Sequence, residues 1–289
     1  MNELINLREA ALRLLTGARA GEVLNDAPYD GPLRPGSELA AELKRAVNGF
    51  QHEAFANDGS RVDYQRLRAS EAYLRYRREL TPQLRQLDLA SLSSREERLA
   101  FWINLYNALV IDGVIAFEVK RSVSEQLAGL TFFRHAAYNV GGQRYSCDDI
   151  ESGILRANAG NPFIPGPQFS QGDPRLRWLI APSEPRIHCA LNCASRSCPP
   201  IGVYAAEEID AQLTLAARNF VNADTEVDQR TSTLTISAIY DWYKVDFGGP
   251  EGVVRFVRQH LPNDERRAWL SSGASINLVH RAYDWALNA

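Results

Sequence analysis

Residues 94–119 constrain this chain more than any other stretch. Ser94-Arg-Glu-Glu97 has the spacing of a capping box, in which a serine hydroxyl and a glutamate three residues on satisfy each other's backbone N–H groups, and an apolar run follows it. On a 3.6-residue period Leu99, Trp102, Tyr106, Leu109 and Val110 share one face, while Phe101, Ala108, Ile111 and Ile115 cover the opposite one. A helix that is apolar nearly all round has to be buried, so the rest of the chain must wrap it. Asn104 and Asn107 sit inside this run, three residues apart and therefore neighbours on the helix surface. A buried amide without a partner costs about 1–3 kcal/mol, so each must have one. Two roles fit: a polar network that fixes packing, or the orienting of a catalytic histidine or a substrate.

The wrapping elements read as helices first and strands late. Residues 2–18 form an amphipathic helix with Leu4, Leu7, Ala11, Leu14 and Leu15 along one face. A second helix starts at Ser37 as its cap, runs to about Phe55 with Leu39, Leu43, Val47 and Phe50 inward, and is ended by Asn57-Asp-Gly-Ser60. A third covers Ser70 to about Leu84. Residues 137–146 alternate around Gly141-Gly142, a two-residue hairpin signal. Ser146 then caps a short helix carrying Glu151. Residues 158–185 are rich in Gly and Pro and read as a long loop, with Trp178-Leu-Ile180 as a brief strand inside it. Further helices at 206–221 and 250–260 and strands at 234–236 and 276–279 complete an α+β pattern. The expected architecture is a helical region over residues 1–58, then a main domain over 59–289 in which the buried helix packs on a small, mostly antiparallel sheet.

Composition narrows the function classes. The net charge of the 289 residues is -3 and the pI about 6.0, which favours neither nucleic acid nor an anionic membrane. The N-terminus has no basic segment followed by a long apolar core, so no signal peptide and no membrane anchor are expected. A reducing cytoplasmic setting follows, in which the four cysteines are free thiols or ligands.

Three of those four lie in Arg186-Ile-His-Cys-Ala-Leu-Asn-Cys-Ala-Ser-Arg-Ser-Cys-Pro-Pro200. Ile187 to Leu191 reads as a buried strand and Asn192 to Ser197 as a loop. On a strand His188 and Cys189 point to opposite faces, which assigns Cys189 to the core. Cys193 lies past the strand end, where it can fold back toward His188; Cys198, held extended by the proline after it, is the reserve. A thiol acyl-transfer site needs a thiolate, a base and a group that orients the base. The candidates are Cys193 or Cys198 as nucleophile, His188 as base, and Asn104, Asn107 or Glu151 as the orienting group; Glu151 is alternatively a general base in its own right. Trp102, Tyr106 and Arg196 are candidate substrate contacts. The alternatives are a zinc site from His188, Cys189, Cys193 and Cys198, or a non-catalytic protein-interaction module. No cofactor is implied.

Phe101-Trp-Ile-Asn-Leu-Tyr-Asn107, Tyr138-Asn-Val-Gly-Gly142, Ile150-Glu-Ser-Gly-Ile-Leu-Arg156, His188 to Pro199, Asp241-Trp-Tyr-Lys-Val-Asp-Phe247 and Tyr283-Asp-Trp-Ala-Leu-Asn288 occur in this order. In these pieces, from about residue 60 to the end, the chain resembles the domain of unknown function 547 family. The resemblance implies a papain-like or transglutaminase-like architecture and a thiol enzyme acting on a peptide or γ-glutamyl amide, with a glutathione-like substrate among the options. It also implies a module found next to coiled-coil segments. Enzymes of that architecture place the cysteine at the start of the central helix, where the dipole activates it; here the central helix begins without one.

Overall fold

A computed structural model describes residues 2–56 and 59–289. Asn57 and Asp58, half of the stop expected after the second helix, lie outside the described residues. At the centre runs α5 (Arg95–Ala116), buried without a break from Leu99 to Ile115. Its capping box is formed as the sequence requires: Glu97 N–H donates to Ser94 Oγ at 3.0 Å, and Ser94 N–H donates to Glu97 Oε2 at 2.9 Å. The helix has the length and hydropathy of a membrane span, yet 94% of its apolar window is buried inside the protein.

α1 (Asn2–Thr16), α2 (Gly36–Ala54), α3 (Tyr64–Ala69) and α4 (Glu71–Arg75) precede it. α2 turns Leu39, Leu43, Val47 and Phe50 into the same core as α5. It begins one residue before Ser37 and has no side-chain cap. α4 continues through a π-turn, Tyr76–Leu80, into a 3-10 segment, Thr81–Gln86, so the expected third helix is built as three successive helical forms. After α6 (Leu130–His135), β1 (Ala137–Val140) and β2 (Gln143–Ser146) form the expected hairpin, with Val140 opposite Gln143. Its turn needs glycine: φ is +58° at Gly141 and +80° at Gly142, and a Cβ on Gly141 would come within 2.7 Å of the Leu87 carbonyl oxygen.

The rest of the chain builds a smaller second core. α7 (Ile209–Asp224), α8 (Ile239–Trp242), α9 (Gly249–His260) and α10 (Glu265–Ser271) surround a sheet of β3 (Glu226–Asp228), β4 (Thr233–Ser237) and β5 (Asn277–Arg281). β4 pairs antiparallel with β3 and parallel with β5. Helix makes up about 53% and strand 9%, an α+β protein. The strands form two separate sheets where one was expected, because the hairpin packs against the α5 core and β3–β4–β5 against the second.

Three local expectations fail for identifiable reasons. Ile187 to Leu191 is not a strand. Pro185 sits at the start of a 3-10 turn, Pro185–Cys189, and the Glu184 carboxylate caps it by accepting from Arg186 N–H. Trp178-Leu-Ile180 is likewise no strand, since a 3-10 turn covers Pro174–Trp178. The apolar stripe of α1 faces solvent: Leu4, Leu7, Leu14 and Leu15 are each at least two-thirds exposed. The polar face of α1 is the tethered one, with Arg8 donating to the Pro165 and Pro167 carbonyls and Glu9 accepting from Arg134 at 2.8 Å.

Candidate functional site

A cavity of about 810 Å³ opens where the two cores meet, and Tyr106, Glu151, His188, Cys193, Cys198 and Tyr243 all line it. The elements that deliver them are distant in sequence, so each is built first.

Glu151 lies on a π-helical segment, Asp149–Leu155, started by reciprocal bonds between Ser146 and Asp149. Such wide turns are uncommon and recur at functional sites. Tyr106, from α5, donates to Glu151 Oε2 at 2.9 Å, and Tyr243 donates to Oε1 at 2.6 Å. Burial, and next the carboxylate itself, push both phenols well above their ordinary range, so both stay protonated donors.

His188 takes its orientation from Asp246, which is not among the candidate orienting groups the sequence offered. Its Nε2 lies 2.8 Å from Asp246 Oδ2, and its ring stacks on Tyr243 with centroids 4.0 Å apart. Arg156 holds the same carboxylate through Nε at 2.5 Å and Nη2 at 3.0 Å. Burial raises the Asp246 pKa, but hydrogen bonds from His188 and Arg156 outweigh it and bring it to about 2. Neither Glu151 nor the two asparagines touch the histidine. Asn107 instead clips the backbone on both sides of Leu191, donating to Ala190 O at 3.0 Å and accepting from Asn192 N–H at 2.9 Å. Asn104 does the same for Tyr204 at 2.7 and 3.0 Å. The two amides therefore fix packing, and Asn107 does so for the strip that carries the thiols.

That strip places Cys193 and Cys198 together. Cys193 N–H donates to Cys198 Sγ at 2.9 Å, and the Tyr283 hydroxyl lies 3.2 Å from Cys193 Sγ and 3.1 Å from Cys198 Sγ. Ser195 Oγ donates to Cys198 Sγ at 3.5 Å and to Tyr283 at 2.9 Å. Burial raises the Cys198 pKa, but hydrogen bonds from Cys193, Ser195 and Tyr283 outweigh it and lower it to about 7. The bond to Cys198 and then burial push Cys193 well up. Of the pair, Cys198 is the thiol with the lowered pKa and Cys193, the one the sequence placed first, the thiol with the raised one. The strip is also sewn to the end of the chain: Arg196 N–H donates to Ala286 O, Asn288 N–H to Ala194 O, and Ser195 bridges Leu287.

The other candidates fall outside. Cys189 is buried in the second core, as assigned, although the strand argument behind the assignment does not hold. Trp102 is fully buried against Phe101 and Tyr145, and Arg196 is exposed; neither lines the cavity. Among the described residues no group of three or more His, Cys, Asp or Glu side chains is placed to hold a metal ion. His188 turns to Asp246, Cys189 to the core and the other thiols to Tyr283, so the four residues of the zinc alternative do not come together as a ligand set among the described residues. The aromatic residues that complete the cavity, Trp242, Tyr243, Tyr283 and Trp285, stand in the stretches that carry the family resemblance but were not among the candidate site residues. Their signal was the density of aromatic and acidic residues in 241–247 and 283–285.

Residues 89–221 match the family described as protein of unknown function, DUF547. The matched span contains the stretches ending at Asn107, Gly142, Arg156 and Pro199; the stretches around Asp246 and Tyr283 lie beyond it. No curated protein and no solved structure matches the chain.

Proposed function

We propose that the protein is a thiol-dependent hydrolase or lyase of peptide-like amides, with Cys198 as nucleophile, His188 as acid and base, and Glu151 beside them as a second proton-handling group. One observation carries this reading: an activated thiol, an oriented histidine and a tyrosine-bound carboxylate converge on one cavity from four separate segments. The chemistry balances. The Cys198 sulfur bonds to the amide carbonyl carbon, the C–N bond breaks, and His188 delivers the proton to the departing amine. Water then gives a proton to His188 as its oxygen bonds to the thioester carbonyl carbon; the C–S bond breaks, releasing the acid and regenerating the Cys198 thiolate. His188 is suited to this because Asp246 holds Nε2 and leaves Nδ1 without a bond to any described residue. A papain-like or transglutaminase-like arrangement is proposed with it. A buried central helix, a thiol and a His–Asp pair support that reading, although the thiols follow the histidine turn and do not head α5.

Iodoacetamide labelling near neutral pH, followed residue by residue, tests the nucleophile. Fast labelling of Cys198 alone is expected; equal and slow labelling of all four cysteines sinks the proposal. The exposed leucine stripe of α1 supports a second reading, a protein-interaction module, tested by whether Leu7→Glu with Leu14→Glu abolishes association in solution.

A further inference from the structure

The lining of the cavity specifies its occupant. Among the described residues no lysine or arginine lines it, and His188 is the one side chain there that can carry a positive charge. Two carboxylates do line it. Asp148 is neutralised from behind by Arg134, 3.3 Å away. Glu151 has two phenol donors and no cationic partner among the described residues: the nearby guanidinium of Arg156 lies over the Tyr243 ring and is committed to Asp246. An aromatic cluster lines the same cavity. Trp242 and Trp285 stack 5.6 Å apart, and Tyr283 packs against both, at 4.8 and 4.7 Å. Phe163, two-thirds exposed on the long loop, meets Trp242 edge-on at 5.7 Å.

We infer that the cavity binds an organic cation, an amine or quaternary ammonium group seated between the Glu151 carboxylate and the Trp242–Tyr283–Trp285 wall. Aromatic faces attract a cation through their quadrupole, and a lone carboxylate supplies the counter-charge. That this cation is the amine-bearing part of the substrate rests on the amide-cleaving reading above. The same lining decides between the substrate classes left open by the sequence. A γ-glutamyl or glutathione-like molecule brings free carboxylates, and the cavity offers them no guanidinium or ammonium; it brings them beside Glu151 and the Cys198 thiolate instead.

Three ligands of one shape test the inference: choline, its neutral isostere 3,3-dimethylbutanol, and the anion 3,3-dimethylbutanoate, each titrated against the tryptophan fluorescence of the intact protein. Saturable binding of choline is expected, at least tenfold tighter than the alcohol, with the anion weaker still. Glu151→Gln should weaken choline tenfold or more, and Trp285→Leu should do the same, while circular dichroism verifies that each variant is folded. Equal binding of the alcohol, tighter binding of the anion or of glutathione, or unchanged affinity in both folded variants overturns the inference. The two proposals fail separately. Selective Cys198 labelling without choline binding removes the cation site and leaves the thiol chemistry. Choline binding without selective labelling does the reverse.

Discussion

Two carboxylates in this molecule are held by pairs of tyrosines, and they differ in one component. Asp112, on α5, accepts from Tyr73 at 2.5 Å and Tyr138 at 2.7 Å, and Arg77 completes the set at 2.7 Å. Its side chain is wholly buried, and Tyr76 extends the network by bonding Tyr138. Glu151 has the same two-phenol cradle from Tyr106 and Tyr243, but an open cavity where Asp112 has its guanidinium. The first arrangement is closed: the phenols of Tyr73 and Tyr138 end on the buried carboxylate and Arg77 balances its charge within the protein, as a buried ion requires. The second leaves its charge facing solvent-accessible space. Identical donors therefore close off a carboxylate in one place and leave it open to a cavity in the other, and the missing cation makes the difference.

Breaking the closed site should produce the largest effect. Asp112→Ala strands Arg77 and two buried phenols, and loss of a buried pair's partner costs about 3–5 kcal/mol, read as a fall in the urea midpoint. Asn107→Ala comes next. It orphans a carbonyl and an N–H beside Leu191 and should lose about 2–3 kcal/mol, with slower Cys198 labelling because the thiol strip is no longer pinned. Glu151→Gln should change stability by less than about 1 kcal/mol, since no buried ion pair is broken, while ligand binding collapses. A large stability loss at Glu151, or a negligible one at Asp112, would erase the distinction between the two cradles.

The pH predictions sharpen it further. A depressed thiol pKa means the reactive thiolate is present above that value and lost below it, so Cys198 alkylation should be half-maximal near pH 7. Tyr283→Phe removes one donor and should move that midpoint upward. Asp246 is depressed to about 2, so its stabilising effect is full above the ordinary aspartate range of about 3.9 and is lost as pH falls through about 2. Asp246→Asn should flatten that acid limb of the stability curve.

The open cradle was half legible in the sequence and the closed one was not. Glu151 and Tyr106 stood inside patterned elements whose caps and periods are local signals, and Ser94 and Ser146 announced both helices. Asp112 carried a signal that was passed over, as the one acid in the apolar run 99–115 of a helix that had to be buried. The partners Arg77, Tyr243 and Asp246 come from segments 35 to 92 residues away in the chain, a separation no periodicity reports. The strand assigned to His188 failed because a short apolar run fits a strand or a buried turn equally well. Pro185 and the Glu184 cap decided for the turn, and with the strand went the parity argument that had assigned Cys189 to the core. The leucine stripe of α1 was read correctly as a stripe, but amphipathicity does not say which face a tertiary contact will claim.

The stitching of the thiol strip to residues 283–288 has a consequence for how the site comes into being. A ribosome releases the chain from its N-terminus, so α5, the Glu151 turn and the His188 turn all emerge long before Tyr283 and Asn288. Until those last residues appear, Cys193 and Cys198 lack the hydroxyl between them and the backbone rungs that hold Ala194 and Arg196 in place. The surroundings of the two sulfurs are therefore completed only once residues 283–288 have been made, after α5 and the turns that carry Glu151 and His188.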